Sequence, residues 1–216
     1  MMGKKLLALL LCGALLVTVL AACGAPEEKD VSAEQDSQPV ETEKEPDTGD
    51  ASLDNPRNQD GIGEKELLVV SFGTSYNDSR RLTIGAIENA MEEAFPEYAV
   101  RRGFTSQIII DHVKSRDNVS IDNVKQALDR AVENGVKTLV IQPTHLMDGL
   151  EYHELVDEVA QYSDAFEHLA IGKPLLTSEA DFQAVEQAIT EATAEYDDGK
   201  TAICFMGHDT EAASNA

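Results

Sequence analysis

Five histidines and a large surplus of carboxylates are the side chains of this 216-residue chain best suited to hold a metal ion or move a proton. Imidazole does both, as a borderline ligand for first-row divalent ions and as a base near neutral pH. Two histidines stand beside turn-forming residues at the ends of apolar runs: His145 in Gln142-Pro143-Thr144-His145, and His208 in Phe205-Met206-Gly207-His208-Asp209-Thr210. His145 reads equally as a histidine bonded to its own loop and as a group at the rim of a pocket. Glu151, aligned with a helix start, is either a first-turn carboxylate favoured by the helix dipole or an acid that guides a metal. His145, Glu151 and His153 could form a metal cluster, but the eight-residue separation of the two histidines fits no helical pair. His112 and His168 fall on expected surface. Hydroxyls and amides of Ser71, Gly73, Thr74 and Ser75, and of Thr105 and Ser106, also follow apolar runs. Such groups bind anionic oxygens, as helix N-termini do, or serve turns and caps. The densest bases, Arg80-Arg81 and Arg101-Arg102, would steer an anionic ligand.

The elements that must position these groups alternate. Leu67-Leu68-Val69-Val70-Ser71-Phe72 is an apolar strand broken by Gly73. Asp78 can cap a helix whose apolar stripe is Leu82, Ile84, Ala86, Ile87, Ala90 and Met91, ending before Pro96. Strands are expected at 98–104, 137–142 and 169–171, and a fifth at Thr201–Met206 with Cys204 in its core. Helices are expected at about 106–115, 122–134, 151–162 and 178–196. Continuous apolar strands alternating with helices predict an α/β fold, a parallel sheet with helices on both faces. In such sheets ligands bind at the carboxyl ends of the strands, where the residues above are found.

Charge and composition narrow the class. A formal charge of −23 argues against a nucleic-acid partner. Three cysteines without repeated spacing exclude a disulfide scaffold or a cysteine zinc module. Residues 1–22 read as a lipoprotein signal: Lys4 and Lys5 precede the apolar stretch Leu6–Leu20, and Leu20-Ala21-Ala22-Cys23 is a cleavage site ending on the thiol that takes the lipid. The apolar run is short for a membrane span. Residues 23–63 read as a solvated acidic tether, with twelve acids against three bases between Gly24 and Asp60. The expected location is extracytoplasmic, anchored to the membrane through Cys23.

Several motifs in order resemble the anaerobic sirohydrochlorin cobalt chelatases, the long class II tetrapyrrole chelatases, a family with a recognised exported lipoprotein branch. They are Leu68 to Tyr76, Phe104-Thr105-Ser106 with Ile108-Ile109, Gln142 to His145 with Gly149-Leu150-Glu151-Tyr152, Gly172 to Leu176, and Phe205-Met206-Gly207-His208. The resemblance implies two similar α/β domains with the tetrapyrrole between them, residues 64–200 being the first and 201–216 the opening strand and loop of an incomplete second. It implies insertion of Co2+, or Fe2+ as a competitor, into sirohydrochlorin in anaerobic cobalamin biosynthesis, with the ion as substrate and no organic cofactor. It assigns to His208 the metal-binding histidine that also helps remove pyrrole protons. The family's remaining ligands, a Glu and a second His, have no counterpart in this chain, so impaired activity is expected. Asp209 stands where the family has a second Gly. Ser71, Gly73, Thr74, Ser75, Thr105, Ser106, His145 and Glu151 become the candidate substrate-binding set. The alternative reading is a surface lipoprotein that binds haem, another tetrapyrrole or a metal without inserting anything; either reading leaves room for a homo-oligomer.

Overall fold

The computed structural model describes residues 46–207. Four strands, β1 (Lys65–Ser71), β2 (Ala99–Phe104), β3 (Thr138–Pro143) and β4 (His168–Ile171), form one all-parallel sheet in the order β2-β1-β3-β4. The helices are α1 (Gly85–Ala94), α2 (Gln107–Asp117), α3 (Val124–Glu133), α4 (Leu150–Ala160) and α5 (Glu179–Thr193). A helical turn Asn77–Ser79 and a π-helical segment Arg80–Ile84 lead into α1. The expected α/β architecture is therefore present.

The central strand is buried on both faces, and its pleat sends alternate side chains to two cores. Leu68 and Val70 pack with Ala127 and Leu128 of α3, Leu155 and Val159 of α4, and Leu139 and Ile141 of β3. Leu67 and Val69 face the other way, with Val100, Met91 and Tyr98. Asn123 starts α3 with a capping box: its side chain accepts from Gln126 N, and the Gln126 side chain accepts from Asn123 N.

Three expectations fail here. The apolar stripe of the first helix faces the core only in part: Ile84 and Met91 pack against it half-buried, but Leu82, Ala86, Ile87 and Ala90 are exposed, and the fully buried residues are Arg80, Gly85 and Glu88. That helix docks through charge. The Arg102 guanidinium donates from Nε and Nη2 to Glu88, each at 2.7 Å, and from Nη1 to Asp54 at 2.7 Å. Arg80 Nε donates to the same Asp54 carboxylate at 2.6 Å, and Arg57 Nε lies 3.4 Å from Glu88. For the same reason residues 46–63, expected within the tether, are not all solvated. Asp54 and Arg57 are buried partners of Arg80, Arg102 and Glu88, so pairing of specific charges outweighs the composition of the stretch. Finally, Thr201–Met206 forms no strand and is exposed throughout, Cys204 included; no neighbouring strand among the described residues pairs with it, and a single strand has no ladder to hold it.

Candidate active site

The chain leaves β1 for β2 on one side and returns to β3 on the other, so the order of connection reverses at β1. The crevice outside the carboxyl ends of such neighbouring strands is where open α/β sheets bind ligands. Here the four strand-end loops stay hydrogen-bonded to one another and form a continuous ledge. Thr105 N donates to Ser71 O at 2.9 Å, Ser106 N to Phe72 O at 3.3 Å and Thr144 N to Val70 O at 2.8 Å. Across the switch point Thr144 Oγ1 donates to Ser71 Oγ at 2.8 Å. Further out, Leu175 N donates to His145 O at 3.0 Å and Leu176 N to Leu146 O at 2.7 Å.

Gly73 makes the tight turn after β1 with φ +101, and a Cβ there would lie 2.5 Å from Phe104 Cδ2. Thr74 and Ser75 do largely turn work: Thr74 Oγ1 accepts from Tyr76 N at 3.2 Å, the Thr74 carbonyl accepts from Arg80, and the Ser75 carbonyl accepts from Arg116. Thr105 differs, because its Oγ1 is buried with no hydrogen-bond partner. Ser106 and Gly149 are the N-caps of α2 and α4, and neither end has a side-chain cap bond. The first amides of both helices are thus open to an anionic oxygen at this edge.

His145 is the most unusual residue of the ledge. Its side chain is only 7% exposed, yet neither ring nitrogen has a hydrogen-bond partner. Its backbone carbonyl is engaged but its imidazole is not, so the reading as a loop-bonded histidine fails. Burial holds its pKa below the usual imidazole value, against a weaker opposing pull from Glu151. Glu151 Oε2 lies 4.0 Å from His145 Nε2. Beside this pair opens a groove of about 350 Å³ lined by Thr105, Asn123, Lys125, Glu151, Glu154 and Glu158, among others. His153 does not join His145; its Nε2 pairs with Asp148 Oδ1 at 2.7 Å.

The arginines expected to steer a ligand are used structurally. Arg80, Arg101 and Arg102 are all buried, Arg101 beside Glu66 and Asp122, and Arg81 pairs with Asp78. His112 and His168 are exposed, as expected. His208 and Cys23 lie outside the described residues. Among the described residues no three His, Cys, Asp or Glu side chains gather to hold an ion, and no helix is long and apolar enough to cross a membrane. The pattern of charges did not point to the apolar residues of this edge: Phe72, Leu146 and Leu175 in the loops after β1, β3 and β4, and Ile108 and Leu150 in the first turns of α2 and α4, are exposed and form an apolar rim. Its signal, for three of the five, is an apolar residue directly beside a polar one, as Phe72 is beside Ser71, Leu146 beside His145 and Leu150 beside Glu151.

Comparison with known proteins gives the chain a family. Residues 65–216 match the family described as cobalt chelatase (CbiK). A sirohydrochlorin cobaltochelatase of Salmonella typhimurium is 37% identical over 145 residues, covering 67% of this chain and 54% of its own length. The sirohydrochlorin cobaltochelatase CbiKC of Nitratidesulfovibrio vulgaris is 28% identical over 163 residues, covering 74% of this chain and 57% of its own. The chain spans about half the length of the curated relatives it matches. With most of its residues, and every strand of its sheet, inside the matched region, the chain belongs to the cobalt chelatase family.

Proposed function

We propose that this chain serves metal insertion into a tetrapyrrole, with Co2+ entering sirohydrochlorin and Fe2+ as an alternative ion. The observation that carries the reading is the family match over residues 65–216, in which the polar ledge and apolar rim form one surface at the switch point. The macrocycle is flat and apolar in its faces and carries carboxylates at its edge. Phe72, Ile108 and Leu150 suit the faces, while the open amides of α2 and α4 with Thr105 and Ser106 suit the carboxylates. Insertion requires two pyrrole N–H protons to leave as the ion loses water. By resemblance His208 binds the ion and accepts a proton, a task an imidazole performs near neutral pH.

The test mixes metal-free sirohydrochlorin, Co2+ and the full chain and follows the visible absorbance change. A His208→Ala variant is expected to be slower by at least about a hundredfold, the usual contribution of a positioned acid–base group. Equal rates would overturn insertion by this chain. Tight tetrapyrrole binding with no insertion in either protein would favour a carrier.

We also infer that the chain is exported and lipidated on Cys23, on the strength of Lys4, Lys5, the apolar run Leu6–Leu20 and Leu20-Ala21-Ala22-Cys23. Metabolic labelling with an alkynyl fatty acid is expected to tag the wild type and not Cys23→Ala; labelling of both would refute it.

A further inference from the structure

Two arginines beneath the loop after β1 take an unusual set of acceptors. Arg80 Nη1 donates to Thr74 O at 3.2 Å, and Arg116 Nη2, from the end of α2, donates to Ser75 O at 2.6 Å. These are successive carbonyls of one turn. Both guanidiniums also donate to a single oxygen, Asn77 Oδ1, at 2.6 and 3.2 Å. Each has its own counterion, Asp54 at 2.6 Å from Arg80 and Asp117 at 2.6 Å from Arg116. The Asn77 side-chain amide donates in turn to Gly49 O at 3.0 Å, so the stretch before β1 grips the same hub. Arg80 and Asn77 are buried, whereas Gly73, Thr74 and Ser75 are half-buried. Carbonyls that near to water are satisfied without a guanidinium. What two arginines add is a fixed orientation.

In a trans peptide the carbonyl and the following N–H point in opposite directions. With Thr74 O turned in to Arg80, Ser75 N–H is turned outward. Tyr76 N–H, opposite Ser75 O, is taken by Thr74 Oγ1 at 3.2 Å. Among the described residues nothing accepts from the amides of Gly73, Thr74 or Ser75.

We propose that Arg80 and Arg116 are positioning residues for the carboxylate edge of the macrocycle: by holding the Thr74 and Ser75 carbonyls inward they present the Ser75 amide outward to a substrate carboxylate. Neither arginine touches the substrate. Asp54 and Asp117 neutralise their charges at long range, so their influence runs through the peptide. A guanidinium on Thr74 O draws electron density across the Thr74–Ser75 peptide unit and makes Ser75 N–H a stronger donor. An arginine expected to steer an anionic ligand from the surface thus serves it from beneath the loop.

This proposal rests on the metal-insertion reading and deepens it. The test titrates the full chain with two probes, sirohydrochlorin and its methyl ester, in which every carboxylate is capped, both followed by absorbance in the same detergent. Arg116→Lys keeps the charge but cannot span Ser75 O, Asn77 Oδ1 and Asp117 together. It is expected to weaken sirohydrochlorin binding at least about tenfold, the loss of one charge-assisted hydrogen bond, and to leave the ester unchanged. In Co2+ insertion the loss is expected in KM more than in kcat. Arg80→Lys, which gives up Thr74 O, is expected to behave alike; should it fail to fold, Arg116→Lys, whose side chain is 20% exposed, is measured alone. Equal sirohydrochlorin binding by wild type and folded Arg116→Lys would overturn the positioning role. Equal weakening of acid and ester would overturn it too, since that is a general loosening of the fold. A wild type that binds neither probe would sink the metal-insertion reading, and with it the role that rests on it.

Discussion

His145 and Glu66 are both buried, ionisable and short of hydrogen-bond partners, but they answer pH in different ways. Glu66 sits at the start of the central strand with neither carboxylate oxygen bonded, and Arg101 Nη1 is 3.7 Å away. Burial pushes its pKa up to about 7, against the pull of Arg101. A carboxyl raised in the folded state binds its proton more tightly folded than unfolded. Its stabilising contribution is therefore complete below the unfolded value of 4.5 and is lost as pH climbs from there to about 7. The loss amounts to about 3 kcal/mol at most, from 1.4 kcal/mol per unit. Urea unfolding at pH 5.5 and pH 8 is expected to show the wild type losing stability that Glu66→Gln retains; parallel pH profiles would contradict it. Gly73→Ala is expected to cost about 2–3 kcal/mol, through its left-handed φ and the collision with the buried Phe104 ring, measured as a lower urea midpoint. Residue types at the strand ends were legible in the sequence because turn chemistry and apolar runs locate them. The arginines were not, because a linear reading shows a charge but not the distant acid that buries it: Arg102 meets Asp54 across 48 positions.

At the scale of elements, the sheet was legible almost throughout. β1, β3 and β4 are short apolar runs punctuated by Gly or Pro, β2 carries Arg101 and Arg102 between apolar residues, and observed ends differ from expected ones by a residue or two. The first helix was placed correctly, but of the stripe read as its core face only Ile84 and Met91 reach the core. Its true attachment is the Asp54–Arg80–Arg102–Glu88 network. Burial pushes Asp54 up, but hydrogen bonds from Arg102 and Arg80 outweigh it and hold the carboxyl below its usual range. Removing one partner strands a buried guanidinium, at a cost of about 3 kcal/mol or more. Asp54→Ala is therefore expected to expose 46–64 and the turn before α1 to rapid amide exchange while α3 and α4 stay protected. Uniform exchange across the domain would show that the network is not a local clamp. By contrast α5, with no buried residue, is expected to exchange early in the wild type.

For the whole molecule, charge is the main opponent of compactness. A formal −23 over 216 residues repels itself, so raising NaCl from 0.05 to 0.5 M is expected to raise the melting temperature. An unchanged or lower value in scanning calorimetry would show that buried pairs, not the net charge, dominate. The inward folding of the stretch before β1 has a further consequence. Thr48 already accepts a hydrogen bond from Asp78 N at 2.9 Å, so the domain's moorings begin there and not at residue 64. If Cys23 carries lipid, the leash is 25 residues long, and whatever path it takes it spans no more than about 85 Å. Lengthening it by insertion before Thr48 would alter only how far the strand-end edge can stand off the bilayer. A change after Thr48 would instead pull on the clamp itself.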